Sequence, residues 1–254
     1  MKRIMAFAVM SLCLTFQTHA RENSDSIAAA ADSAYIHGDF MTAASLYEDI
    51  IENFGVNATV YMNLGNCWYK QDEIARAVLC YERAYLLDPS DDDIRFNLEL
   101  ARTKTVDKVN PKNRFLPAVW FASVRSSLDV RQWSVSVIVL FALTVLCVGL
   151  LMFSKKYSVR KISLGFASIF FVFSILSFIF AFTQMGNISE RNAAIIMVPS
   201  VTVKSTPIES GTDLFTIHEG RKVEILDSGM KEWVEIRLED GNTGWLPLSA
   251  IEII

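Results

Sequence analysis

The 254 residues are enough for one large domain or two small ones, but a mean hydropathy of +0.29 with 17 phenylalanines is too apolar for an ordinary soluble chain. The excess lies in three blocks, residues 4–16, 134–153 and 162–182, and the remainder reads as soluble sequence, which excludes a simple soluble globule. The net charge is −4, and 16 acidic against 8 basic residues between Arg21 and Lys108 argue against nucleic acid or anionic lipid as partners of the amino-terminal part.

Lys2 and Arg3 precede a 13-residue apolar run, Ile4 to Phe16, followed by Thr18-His19-Ala20, with small residues where a signal peptidase reads. The run is short for a hydrocarbon core. It predicts a signal peptide over 1–20 and a mature chain from Arg21. Leu12 before Cys13 does not suit a lipoprotein cleavage box. Export permits a disulfide between Cys67 and Cys80, but two cysteines do not make a disulfide framework, and two separate, buried thiols are expected.

Residues 21–108 form the first soluble module. Shifting the sequence so that Gly38 falls on Asp72 aligns the stretch from Gly38 to Tyr47 with that from Asp72 to Tyr81 without a gap. A period of about 34 residues means helix-turn-helix repeats. The copies span 24–57 and 58–91, and a solvating helix over 92–103, with Ile94, Leu98 and Ala101 on one stripe, is expected to cap them. The second copy resembles the tetratricopeptide repeat family through Leu64, Gly65, Trp68, Ala77, Tyr81, Ala84 and Pro89. The first keeps Gly38, Ala43 and Tyr47 but has Ala31, Ile50 and Gly55 where that family has Gly, Ala and Pro. These residues mark packing: Gly65 and Ala77 let two antiparallel helices approach, and Trp68 and Tyr81 fill the wider space. The resemblance implies a concave groove that receives a basic or mixed-charge peptide of a partner protein. The Asp-rich stretch Asp88 to Asp93 lacks the Gly and distal Glu of a calcium loop, so no metal is assigned there.

A juxtamembrane segment, 109–133, carries Phe115, Trp120, Phe121 and Trp133 at the depth of a membrane interface, and Ser126 with Asp129 resembles a helix-starting capping box. Uncharged runs at 134–153 and 162–182 are each long enough to cross a bilayer as a helix. The loop between them, 154–161, holds Lys155, Lys156, Arg160 and Lys161 and no acid, which places it in the cytoplasm and both soluble modules in the periplasm.

After a linker at 183–194, residues 195–254 change to six short β-branched runs separated by turn signals, the pattern of a small antiparallel barrel. The order resembles the bacterial SH3-like domain: Val201-Thr202-Val203 with Pro207, His218-Glu219-Gly220-Arg221-Lys222, a strand from Trp233, and a closing Gly244-Trp245-Leu246-Pro247. That resemblance implies cell-wall or peptide binding. Trp233 and Trp245 are then either barrel-closing packing or an aromatic ligand floor.

No catalytic, cofactor or metal residues are assigned: His37 and His218 lie in different modules, and no phosphate loop, nucleophile elbow or CxxC is present. The chain is read as a multidomain membrane protein with an all-α repeat module, a two-helix hairpin and an all-β module, and not as an enzyme. Taken together, the order of parts resembles the aerotolerance family of Bacteroides, the BatE proteins. The resemblance implies an inner-membrane scaffold working with von Willebrand A domain proteins and a MoxR-type ATPase in oxygen tolerance or envelope stress. A peptidoglycan sensor acting through the SH3-like domain is the alternative.

Overall fold

The structure is a computed structural model that describes residues 23–108, 116–190 and 192–254. The signal peptide at 1–20, mature Arg21 and the start of the juxtamembrane segment, including Phe115, lie outside the described residues. The chain divides into two compact units, one joining the helical repeats and the carboxy-terminal sheet, the other holding the long apolar helices.

In the first unit α1 covers 23–36, followed by α2 (Phe40–Phe54), α3 (Ala58–Lys70), α4 (Ile74–Leu87) and α5 (Asp92–Lys104). Local chemistry sets the starts. The Asp39 carboxylate accepts from Thr42 N at 3.1 Å, and Asn57 Oδ1 accepts from Thr59 N at 2.8 Å, each satisfying an amide that a helix leaves unpaired. The turns of the two copies match: Gly38 has φ 82°, and Asp72, at the equivalent position of the second copy, has φ 64°. Asp is one of the few side chains that tolerate this left-handed region. Gly38, expected as a packing residue, has open space where a Cβ would stand, so its role is the turn.

The packing positions repeat as well. Ala43 and Ala77 are fully buried, as are Ala31 and Ala84, and Tyr47 and Tyr81 are nearly so. Gly65 lies against the Tyr81 ring, while Trp68 is half-buried at the edge of the core. Cys67 and Cys80 are separate buried thiols in one apolar cluster with Leu64 and Ile50. Burial pushes each thiol up to about 12, which keeps it protonated and unreactive at neutral pH. Pro89 follows the end of α4.

The sheet has seven antiparallel strands where six were expected: β1 (Ala193–Ile196), β2 (Ser200–Lys204), β3 (Asp213–His218), β4 (Lys222–Asp227), β5 (Trp233–Arg237), β6 (Thr243–Pro247) and β7 (Ile251–Ile253). Their order is β3-β2-β6-β5-β4-β1-β7. The expected closed barrel is therefore corrected to an open sheet, because β3 and β7 end the order and do not pair with each other. The additional strand β7 pairs with β1, Ile195 opposite Glu252.

Along β1, Ala194 and Ile196 enter the sheet's own core with Val223, Val234 and Leu246. Ile195 points the other way, as the period of two in a strand requires, and is fully buried among Ala77, Val78, Tyr81, Leu98 and Ala101 of α4 and α5. Sheet and helices thus share an apolar seam. Gly220 fits the same seam, where a Cβ would lie 2.7 Å from Thr105 Cγ2.

The second unit contains α6 (Leu116–Arg125), α7 (Val130–Phe153) and α8 (Tyr157–Glu190). Two segments are long and apolar enough to cross a membrane, Val130–Phe153 with mean hydropathy 2.9 and Tyr157–Gly186 with 2.4. The capping box begins at Asp129 and not at Ser126 as expected: Asp129 accepts from Gln132 N, and Gln132 accepts from Asp129 N. The break between α7 and α8 is only Ser154 to Lys156, so Lys155 and Lys156 stand in it, while Arg160 and Lys161 lie in the first turns of α8. Helix α8 also runs to Glu190, through most of the expected linker. Trp133 Nε1 donates to Arg125 O at 3.0 Å and its ring meets Phe180 at 4.9 Å, which fixes the α6–α7 elbow against α8. Ser174 Oγ joins the long helices by donating to Val137 O at 3.3 Å.

Gly65→Ala tests the helix seam. Alanine favours a helix by about 1 kcal/mol over glycine, but its Cβ would fall 2.7 Å from Tyr81 Cε1, and that ring is buried and tethered through its hydroxyl to Asn66. Overpacking costs about 1–3 kcal/mol and prevails. The melting temperature of the detergent-solubilised full chain is expected to fall for Gly65→Ala and further for Ala77→Trp. Unchanged melting of both variants would remove the seam.

Candidate functional site

The two repeats carry one hydrogen bond in common. Tyr47 O–H donates to Asp32 Oδ1, and at the equivalent place in the next copy Tyr81 O–H donates to Asn66 Oδ1 at 2.8 Å. Asn97 Nδ2 of α5 donates to the same Asn66 oxygen at 3.3 Å, so that oxygen is shared by two donors. Burial, then the hydrogen bond and charge of Asp32, raise the Tyr47 phenol above its ordinary range, and burial does the same to Tyr81. Both hydroxyls therefore remain donors at neutral pH, fixing Asp32 and Asn66 in place.

Between α1, α2 and α3 these residues border a recess of about 240 Å³, lined by Asp32, Tyr35, Ile36, Tyr47, Asn63 and Asn66. The Asp32 carboxylate accepts, the Asn66 amide nitrogen is left to donate, and Ile36, 79% exposed, offers an apolar rim. An acceptor, a donor and an apolar lip suit an extended peptide or a basic side chain. Asp32, Asn63 and Asn66 were not singled out in the sequence. A signal existed, since Asp32 and Asn66 are one repeat apart and each precedes its tyrosine by the same interval of 15. Among the described residues no three His, Cys, Asp or Glu side chains form a group that could hold a metal ion.

The repeat geometry of α3 and α4 agrees with a known family. Residues 58–91 match the tetratricopeptide repeat. The match covers the second helical copy, where Leu64, Gly65, Trp68, Ala77, Tyr81 and Ala84 provide the packing described above. Tetratricopeptide repeats are protein-interaction modules rather than catalytic ones. No curated protein matches the chain.

The other residues expected to act lie away from the recess. Trp233 and Trp245 are half-buried and lie on the face opposite Val234, Ile236 and Leu246, outside the sheet's core cluster. Their strands place them diagonally, since Glu235 faces Trp245 and Trp233 faces Pro247. Lys155, Lys156, Arg160 and Lys161 belong to the second unit, with the long apolar helices.

The tetratricopeptide copy is also joined to the sheet by charge. Glu82 of α4, 2% exposed, binds Lys222 Nζ of β4 at 2.7 Å and Arg102 of α5. Burial alone would raise its pKa, but the two cations outweigh burial and hold the carboxyl below its usual range. Arg83 donates to Glu252 Oε1 at 3.0 Å and to Ile253 O at 2.6 Å, and Asp107 accepts from the His218 amide at 2.7 Å while its other oxygen meets Nδ1 at 2.9 Å. Sequence reading placed the two modules apart. The structure docks them.

A carboxyl with a lowered folded pKa stabilises above its unfolded value, near 4.3, and that contribution disappears as pH falls through the folded value. Glu82→Gln is expected to lower stability at pH 7 by about 3 kcal/mol, because two cations lose their buried partner. Its melting temperature should also respond less to acidification below about pH 4 than that of the unaltered chain. Parallel pH profiles in thermal melts would exclude the ion triad as a stabilising contact.

Proposed function

We propose that this protein is a non-enzymatic, membrane-anchored scaffold that captures a segment of a partner protein in the α1–α3 recess of its tetratricopeptide module. The observation that carries the reading is the pair of repeat-equivalent bonds, Tyr47 to Asp32 and Tyr81 to Asn66, which hold polar groups at the edge of a recess instead of burying them. The excess of acid in residues 21–108 favours a basic or mixed-charge segment. In this reading the signal segment and the four basic residues around the α7–α8 break put both soluble modules in the periplasm of an inner-membrane protein. The resemblance to BatE proteins then points to von Willebrand A domain proteins of an aerotolerance or envelope-stress system as partners.

Affinity purification from membranes tests the scaffold. Proteins retained by the unaltered chain should be lost with Asp32→Lys and Asn66→Ala together. Because those changes also unpair the buried Tyr47 and Tyr81 hydroxyls, the proteins should be lost as well with Ile36→Glu at the exposed rim, whose melting should be unchanged. Retention of the same proteins by that variant would overturn the recess as the capture site. The topology has its own test: a cysteine replacing Ser210 should react with an impermeant maleimide in intact spheroplasts, and one replacing Ser158 should not. The reverse pattern would place the modules in the cytoplasm.

A further inference from the structure

The docking of the sheet onto the helices creates a cleft that neither module has alone. Its volume is about 520 Å³, within the range of about 300–1,000 Å³ usual for ligand clefts, and its walls come from α2, α3, α4 and the β1 and β7 edge of the sheet. Trp68 and Met197 provide apolar surface from the two sides, one a flat indole and the other a flexible thioether that adapts to what it meets.

The charges of this cleft fall into two groups. Arg83 is engaged by Glu252 and by the carbonyl of Ile253. Arg76 is differently placed: its guanidinium lies 4.6 Å from the Trp68 ring centroid and has no carboxylate partner among the described residues. On the opposing helix Glu48 and Glu52 stand one turn apart, both exposed and neither in an ion pair among the described residues. The cleft thus offers a planar cation on an aromatic platform and two available carboxylates. A guanidinium stacked on indole keeps its hydrogen-bonding fork free for a carboxylate.

From this arrangement we infer that the helix–sheet cleft is a second peptide-binding site, whose occupant is a partner segment with an apolar side chain flanked by an acidic residue on one side and a basic residue on the other. The acidic residue pairs with Arg76, the basic residue with Glu48 and Glu52, and the apolar side chain lies between Trp68 and Met197. Recess and cleft have no lining residue in common, so this site stands or falls independently of the recess. Cys80 in the cleft wall contributes only bulk, since burial keeps its thiol protonated.

The test uses the full chain in lipid nanodiscs and randomised heptapeptides displayed on phage, followed by synthesis of the enriched peptides. Enriched sequences should carry an acid and a base on either side of an apolar residue. Arg76→Glu should weaken their binding by roughly tenfold, and Arg76→Lys by less, because it keeps the charge and loses the planar fork. Arg76 is exposed, so both variants should melt as the unaltered chain does. Asp32→Ala and Asn66→Ala, which disable the recess, should leave this binding intact. The inference is overturned if no sequence is enriched, if binding survives both Arg76→Glu and the double change Glu48→Lys with Glu52→Lys, if it is lost with the recess variants, or if sedimentation shows that a second copy of the chain fills the cleft.

Discussion

Glu82 is placed where an unpaired charge would be costly, in the middle of α4 and out of reach of water. Its two cations come from different elements, Arg102 from the last turns of α5 and Lys222 from the start of β4. All three elements must be in place before the carboxylate is satisfied. The apolar seam around Ile195, Ala77, Leu98 and Ala101 supplies the attraction, because burying hydrocarbon is favourable but non-directional. The triad adds direction. A sheet shifted along the helices would leave Glu82 buried with fewer partners, so the ion cluster selects one register of sheet on helix.

The helical repeat was legible in the sequence because its information is local and periodic. A shift of one repeat superimposes Ala43 on Ala77, Tyr47 on Tyr81 and Asp32 on Asn66, and the structure gives each pair the same environment. The two long apolar helices were legible for a similar reason, since uninterrupted apolar sequence has few other uses. Their ends were less so. Helix α8 continues to Glu190 because the polar stretch after Gln184 contains no proline to stop it, and loss of apolarity alone does not end a helix.

The docking was not legible, because Glu82 and Lys222 are 140 positions apart and each is an ordinary surface residue type when read alone. A signal was nevertheless present. Ala193-Ala194-Ile195-Ile196-Met197-Val198 is an unbroken apolar run, whereas a strand with one wet face alternates, as Val234, Ile236 and Leu238 do. Continuous apolarity in β1 meant that both of its faces are covered, and the second cover is the pair α4 and α5.

That cover also involves α5. A repeat stack with an exposed apolar end needs a polar cap, and one helix with a single apolar stripe would serve if its other side faced water. Leu98 and Ala101 of that stripe share their cluster with Ile195 of the sheet, while Arg95, Phe96, Glu99 and Leu100 face water, so α5 caps the stack and receives β1 on its buried side. The consequence reaches α3, whose faces serve different neighbours. Asn63 and Asn66 line the recess, while Tyr61, Leu64 and Trp68, spaced so as to share one side of a helix, line the cleft. At about 3.6 residues per turn these sets point in different directions from one rod. A scaffold built this way holds two surfaces at a fixed mutual orientation, because close packing at Gly65 and Tyr81 leaves α3 no room to turn between them.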